Sequence, residues 1–171
     1  MACTFFAALM ATSARIAVPL PFTPVPFSMQ PLALMLTGLF LGGRLGALAL
    51  LEYLAAGALG APVFAMGGGG VGYLASISSL GYLLAYPVAA WVTGRIAERG
   101  RTSFGRFLAA STAGLVLVYV GGDAYLWSWL HGSLATAVMA GTVPFIVFDV
   151  AKAVLAAGVA SRASASWFAY R

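Results

Sequence analysis

The sequence predicts an all-α integral membrane protein, and three observations carry that expectation. Of its 171 residues, 62% are apolar and only 8% are charged, with a mean hydropathy of +0.98. A soluble domain needs roughly 25% charged residues to wet its surface, so the solvent of this surface must be lipid. Gly, Pro and charge punctuate the chain into six apolar segments. These segments are rich in Ala and Leu and lack the alternation of a membrane barrel, which argues against strands. The length suits a single transmembrane domain, residues 1–171, built of short helices with no appended soluble domain.

The first segment, 3–18, ends at Pro19. Its apolar run resembles the core of a signal peptide, but no basic residue precedes it and the later segments are equally apolar, so it reads as a retained helix. Ala7 and Ala11 form a small-xxx-small face that lets another helix approach closely. The following run, Pro-Leu-Pro-Phe-Thr-Pro-Val-Pro, holds four of the eight prolines and is stiff and extended. It suits either a cap over a pocket or a short crossing. The second segment, 31–41, is joined by a Gly42-Gly43-Arg44 turn to the third, 44–59. Glu52, in the middle of the third, is open to three readings: paired with a cation, protonated, or part of a pore.

The glycine run at 67–70 lacks the Lys-Ser/Thr and the strand of a phosphate loop. It reads as a lid, as backbone closely approached by a ligand, or as a plain loop. The fourth segment, 80–97, carries Tyr82 and Tyr86 four residues apart, placed either to line a pocket or to pack. The fifth covers 107–120. The loop 121–142 then carries His131 beside Trp127 and Trp129, an interfacial aromatic belt. The sixth, 144–161, starts at a proline, which suits a helix start. Several segments fall short of the roughly 20 residues a span needs, so flanking loops must complete them.

Charge supplies orientation. The net charge of +5 is spread thinly over an apolar chain, which does not suit nucleic-acid binding. Arg44, Arg95, Arg99, Arg101, Arg106, Arg162 and Arg171 all fall on one side of a six-span arrangement, together with the N-terminus. The positive-inside rule makes that side cytoplasmic, and loops 19–28, 60–79 and 121–142 face outward. Arg15 and Lys152 break the pattern, at depths where an ionisable group costs about 2.5–3.5 kcal/mol.

Those two cations are therefore candidates for function. Asp149 and Lys152, three apart, share a helix face, and Asp149 lies near a helix start that favours an anion. They are either a ligand site or a self-neutralising pair that makes insertion tolerable. If functional, Lys152 receives a ligand carboxylate. Arg15 either snorkels to the headgroups or contacts the ligand. Cys3 is the single cysteine, so no intramolecular disulfide forms and a thiolate metal cluster is not expected. No nucleotide, zinc-protease or nucleophile-elbow motif is present, so the chain is not expected to be an enzyme or to need a cofactor. Active transport would draw its energy from a partner or an ion gradient.

These residues resemble the BioY family, the biotin-binding membrane subunits of energy-coupling-factor (ECF) transporters. The resemblance lies in Pro-Val-Pro-Phe-Ser-Met-Gln at 24–30, the Gly-Gly-Arg-Leu-Gly turn at 42–46, Gly-Ala-Pro-Val-Phe-Ala with its glycine run at 60–70, and PFIVFDVAKAVLAA at 144–157. It spans residues 5–160. It implies a six-helix ECF S-component-like bundle with a vitamin pocket near the outer face. It also implies biotin as ligand, and a transmembrane coupling subunit with two ATP-binding subunits as partners. Biotin would be bound by Asp149 and Lys152, with Tyr82, Ser79 and Arg15 as further candidates, and Ala7 and Ala11 would face the coupling subunit. Where many members read Gly-Pro-Thr-Gly-Gly-Tyr, this chain has Ile-Ser-Ser-Leu-Gly-Tyr at 77–82, a departure that bears on contacts from Ser78 and Ser79. Biotin suits the inventory of residues: one carboxylate, an apolar bicycle and tail, and a neutral ureido group. The rival reading is a stand-alone channel or exporter, which would want a polar stripe through several helices. An intramembrane enzyme is disfavoured by the missing motifs.

Overall fold

The computed structural model describes residues 1–99 and 102–167. Arg101 and Arg171, two of the cations assigned to the cytoplasmic side, lie outside the described residues. Among the described residues there are seven helices and one two-stranded ladder: α1 (Ala2–Arg15), β1 (Ala17–Val18), β2 (Phe27–Ser28), α2 (Gln30–Ala58), α3 (Val71–Ser76), α4 (Leu80–Ala97), α5 (Phe104–Leu130), α6 (Leu134–Gly141) and α7 (Ile146–Trp167).

The first helix stops at Arg15 rather than at residue 18. Pro19 biases the residue before it toward extended backbone, and Ala17 and Val18 pair antiparallel with Ser28 and Phe27. The expectation of no strands is corrected on this small scale: the ladder satisfies backbone groups at the neck of the proline-rich loop and folds that loop back on itself.

The second helix is formally continuous over 29 residues, but Gly42 within it has φ 78° and ψ 179°. The side chains settle what this means. Gln30 Nε2 donates to Tyr53 Oη at 2.9 Å, whereas 23 intervening helical steps would separate them by about 35 Å. Gly38 and Gly46 likewise meet, a Cβ built on Gly46 standing 3.3 Å from the Gly38 Cα. The chain therefore reverses at Gly42, and α2 is two antiparallel arms, 30–41 and 43–58, as the Gly-Gly-Arg turn predicts. By length and composition alone α2 and α5 are long and apolar enough to cross a membrane, as is the α6–α7 pair, bent by 55°. The reversal divides α2 into two shorter arms.

Three expected boundaries move. The fifth helix does not end at residue 120 but continues through Gly121-Gly122 to Leu130, where His131 caps it in the left-handed conformation (φ 49°). Most of the expected outer loop 121–142 is thus helical, with α6 filling its second half. The physical reason is packing. A Cβ on Gly121 would stand 2.8 Å from the Ala85 side chain, and one on Gly122 would overlap the Tyr82 ring. These glycines mark a close helix–helix approach rather than a break. The loop 60–79 also holds structure, a short 3₁₀ turn at Ala65–Gly67 and the helix α3. The sixth segment begins as α7 at Ile146 and runs on to Trp167.

The bundle is assembled around α4, which packs between α2 and α5, while α7 closes against α5 and α2. Small residues allow this. A Cβ on Gly38 would stand 2.8 Å from both the Ala90 carbonyl oxygen and the Thr93 Cβ, and α4 buries Ala89, Ala90, Thr93 and Gly94 along this seam. α1 runs alongside the second arm of α2: Cys3 Sγ meets the Leu45 carbonyl at 3.6 Å near one end, and Arg15 meets the Pro62 carbonyl near the other. Leu45, Leu48, Leu51, Leu84, Val88, Val116, Val150 and Leu155 are exposed, an apolar exterior suited to lipid contact.

Candidate ligand cavity

A cavity lies where the proline-rich loop, α3, the starts of α4 and α7 and the middle of α5 converge, with about 630 Å³ between its walls, open mouth included. Val25, Pro26, Phe27 and Ser28 form one wall, and Gln30, Phe64, Tyr73 and Ile77 extend it. Ser79, Tyr82, Leu83 and Tyr86 of α4 and Val118 and Tyr119 of α5 face them, and Phe145, Asp149 and Lys152 complete the ring. It is an apolar, aromatic enclosure with a few polar groups at fixed points, the usual composition of a small-molecule site.

Asp149 occupies the first turn of α7, its N–H donating to the Phe145 carbonyl at 2.9 Å. One turn on, Lys152 lies on the same face. Both are buried, with 4% and 6% of their surface exposed, so an unpaired charge at either would be costly. They are not unpaired. Lys152 Nζ donates to Asp149 Oδ1 at 2.7 Å and to the Ser28 carbonyl at 2.7 Å, and lies 4.2 Å from the centre of the Phe27 ring. Asp149 Oδ2 accepts from Tyr119 Oη at 2.7 Å. An ammonium has three N–H donors, so two are committed and one remains for a ligand. The pair is net neutral, oriented, and aimed into the cavity.

A second polar knot stands behind the α4 wall. Tyr82 Oη donates to Asp123 Oδ1 at 2.8 Å, and Thr142 Oγ1 donates to Asp123 Oδ2 at 2.6 Å. A third lies at the loop edge, where Ser28 Oγ meets Gln30 Oε1 at 3.3 Å and Gln30 reaches Tyr53. The proline-rich loop is tied down on three sides: Thr23 to the Ala140 carbonyl, Ser78 Oγ to the Pro24 carbonyl, each at 2.7 Å, and Lys152 to Ser28. The α3 side is held by Tyr73 Oη, which donates to the Ala65 carbonyl at 2.8 Å; burial pushes that hydroxyl above its ordinary pKa.

Of the residues singled out from sequence, Asp149, Lys152, Tyr82 and Ser79 line this cavity. Arg15 does not line it: its guanidinium donates to the Pro62 carbonyl and lies against Gly67, clasping the glycine-run loop. That loop is compact, with left-handed backbone at Gly67 and Gly70 (φ 82° and 90°). Ala7 is buried inside the bundle and Ala11 is half-buried against the core, so neither presents an open face. The exposed small residues of α1 are Ala2, Thr4, Ala8 and Thr12. Glu52 is exposed on the second arm of α2 and is not part of the cavity wall. Sequence reading missed Asp123, Tyr119 and Gln30. Assigning 121–142 to a loop hid that Tyr119 and Asp123 are four apart on one helix. Gln30, at the start of α2, carries no charge to mark it against an apolar sequence.

The family model for the BioY family matches residues 1–168. The biotin transporter BioY of Thermotoga maritima is 39% identical over 157 residues, covering 92% of this chain and 90% of its own length. The probable biotin transporter BioY of Pyrococcus horikoshii is 38% identical, with the same coverage of each chain. The biotin transporter BioY of Rhizobium etli is 37% identical, covering 90% of this chain and 85% of its own. Among solved structures, the S-component for biotin from an ECF-type ABC transporter superposes with a TM-score of 0.89 over 98% of this chain and 92% of that one, at 23% identity. The fold is thus that of an ECF S-component, and on a family match over nearly its whole length the chain belongs to the BioY family.

Proposed function

We propose that this chain binds biotin in the cavity and serves as the substrate-specific subunit of an ECF-type biotin uptake system in the cell membrane. The observation that carries the reading is the buried Asp149–Lys152 pair, neutral in sum, in a cavity otherwise walled by apolar, aromatic and uncharged polar side chains. The names of the relatives point to the same ligand.

The pair also bears on the pose. Charge alone suggests that Lys152 takes the biotin carboxylate. Yet Lys152 and Asp149 touch at 2.7 Å and so serve one end of any ligand. A carboxylate placed there would join a second carboxylate around a single buried ammonium, leaving an uncompensated negative charge. A ureido group is neutral and complementary: its carbonyl accepts from Lys152 and one N–H donates to Asp149. The bicycle would then lie among Phe27, Tyr86 and Tyr119. The valerate would run past Ser79, which borders both the cavity and an outer groove lined by Ser76 and Ser78. Arg15 acts on the neighbouring loop rather than on the ligand.

Calorimetry with biotin and biotin amide tests this. Both should bind the wild type within about threefold of each other, because the carboxylate is not buried. Lys152→Ala should weaken both by at least about tenfold, since truncating one partner of a buried charged contact costs about 2–5 kcal/mol. If the mutation penalises the acid and spares the amide, Lys152 holds the carboxylate instead. If neither compound binds the wild type, biotin is not the ligand.

The chain carries no ATP-binding motif, so uptake would be powered by a transmembrane coupling subunit and two ATP-binding subunits. We assign six membrane crossings: α1, the two arms of α2, α4, α5 and α7, with both termini cytoplasmic. α3 and α6 lie at the outer surface. A stand-alone channel is the less favoured reading, because the buried charged residues among those described, Asp123, Asp149 and Lys152, gather at the cavity end of the bundle.

A further inference from the structure

Tyr82 sits in a seat built for it. Its ring lies where a Cβ on Gly122 would be, and its hydroxyl lies where a Cβ on Gly141 would be, so two glycines make the slot. Gly141 borders the cavity, which places the hydroxyl at the cavity edge. Asp123, with 7% of its surface exposed, accepts from that hydroxyl at 2.8 Å and from Thr142 Oγ1 at 2.6 Å. No Lys, Arg or His pairs with it among the described residues. Both hydroxyls donate, Tyr82 Oη to Asp123 Oδ1 and Thr142 Oγ1 to Asp123 Oδ2, so the carboxyl oxygens are the acceptors of this knot. A tyrosine hydroxyl has one proton. With that proton committed to Asp123, what Tyr82 offers the cavity is a lone pair.

We propose that Asp123 is a positioning residue that fixes the polarity of the Tyr82 contact, so that this wall of the cavity selects a ligand N–H. The inference rests on the biotin reading above and deepens it. One ureido N–H meets Asp149, and the other meets Tyr82 Oη, whose acceptor role is set from behind by Asp123. Without Asp123 the hydroxyl could rotate and present its proton, and the wall would take a donor or an acceptor alike. The Tyr82 contact would then no longer distinguish a cyclic urea from a ring with oxygen in place of that N–H. A site built to pair an N–H rejects an isostere lacking it, because the oxygen lone pairs would oppose each other.

The test uses calorimetry with biotin and with the two cyclic carbamate analogues, in each of which one ureido N–H is replaced by oxygen. Wild type should bind both carbamates at least tenfold more weakly than biotin, one because of Asp149 and the other because of Tyr82. Tyr82→Phe should erase the discrimination against one carbamate only. Asp123→Leu should erase the same one. Asp123→Asn should retain it, because the amide oxygen still accepts from Tyr82 while the amide N–H₂ donates to Thr142. In the Tyr82→Phe background, Asp123→Asn should change biotin affinity by less than threefold. Loss of affinity for all three ligands in equal proportion in Asp123→Leu would mean a merely structural role and overturn the proposal. So would unchanged discrimination in Tyr82→Phe, a variant that keeps the ring in its seat should Asp123→Leu fail to fold. Absence of biotin binding by wild type would bring down the biotin reading and this one together, whereas wild-type binding with indifferent variants removes this one alone.

Discussion

Asp149 and Lys152 were legible because the bilayer makes them conspicuous: an ionisable pair in the outer half of an apolar helix stands out against a sequence with so few charges. Asp123 was not legible, because two adjacent glycines precede it and glycine pairs usually end helices in water. Within a tightly packed bundle the same glycines admit a neighbouring tyrosine. Gly141 makes this concrete. It lies at the end of α6, where Ala would be the better helix former by about 1 kcal/mol. A Cβ there would nonetheless overlap the Tyr82 hydroxyl and the Asp123 carboxylate. Gly141→Ala should therefore lower stability by about 1–3 kcal/mol through overpacking, read as a drop in melting temperature in detergent. It should also weaken biotin binding, by displacing the Tyr82 wall. A stabilised protein with unchanged affinity would mean that the seat has room to spare.

At the scale of elements, the turn between the second and third segments is legible in Gly-Gly-Arg, and the chain reverses there. Gly42 combines φ 78° with ψ 179°, a conformation open essentially to glycine alone and costing any other residue about 1–3 kcal/mol. Gly42→Ala should lower stability by that amount, measured by thermal unfolding; no change would mean that the arms can reverse through another residue. On α1, Ala7 is buried and Ala11 half-buried against the core, which makes Ala8 the better-exposed small residue for a partner helix. The small pair Ala7/Ala11 is visible in sequence, but periodicity alone cannot say which side of an all-apolar helix meets its own bundle. Met10, Ser13 and Ala14 are buried with Ala7, which leaves Ala8, between Thr4 and Thr12, on the open side. Ala8→Leu should therefore block close approach of a partner helix. It should abolish ATP-driven uptake by the assembled transporter while biotin affinity of the isolated subunit stays within about threefold. Ala7→Leu should instead destabilise the subunit itself. If Ala8→Leu transports normally and Ala7→Leu folds normally yet fails to transport, the docking face is the one the sequence suggested.

At the scale of the whole molecule, the distribution of charge and the distribution of polar side-chain contacts point the same way. Arg44, Arg95, Arg99 and Arg106 gather near the Gly42 reversal and the α4–α5 connection, with Glu98 bridging Arg95 at 3.8 Å and accepting from the Gly43 N–H at 3.1 Å. The cavity, the proline-rich loop, α3 and α6 gather at the opposite end. Under the proposed function the cavity opens to the outside, and the positive-inside rule would then put the arginine end, opposite the cavity, in the cytoplasm. Single cysteines introduced into a background in which Cys3 is replaced by Ser test this orientation in intact cells. Arg99→Cys lies in the connection after α4, and Met66→Cys lies exposed in the loop clasped by Arg15. A membrane-impermeant thiol reagent added outside should label position 66 and leave position 99 untouched until the membrane is opened. Labelling of both from outside would mean a dual or disordered insertion. The inverted pattern would place the cavity mouth in the cytoplasm, and the chain would then have to be an exporter or an intracellular sensor rather than an uptake subunit.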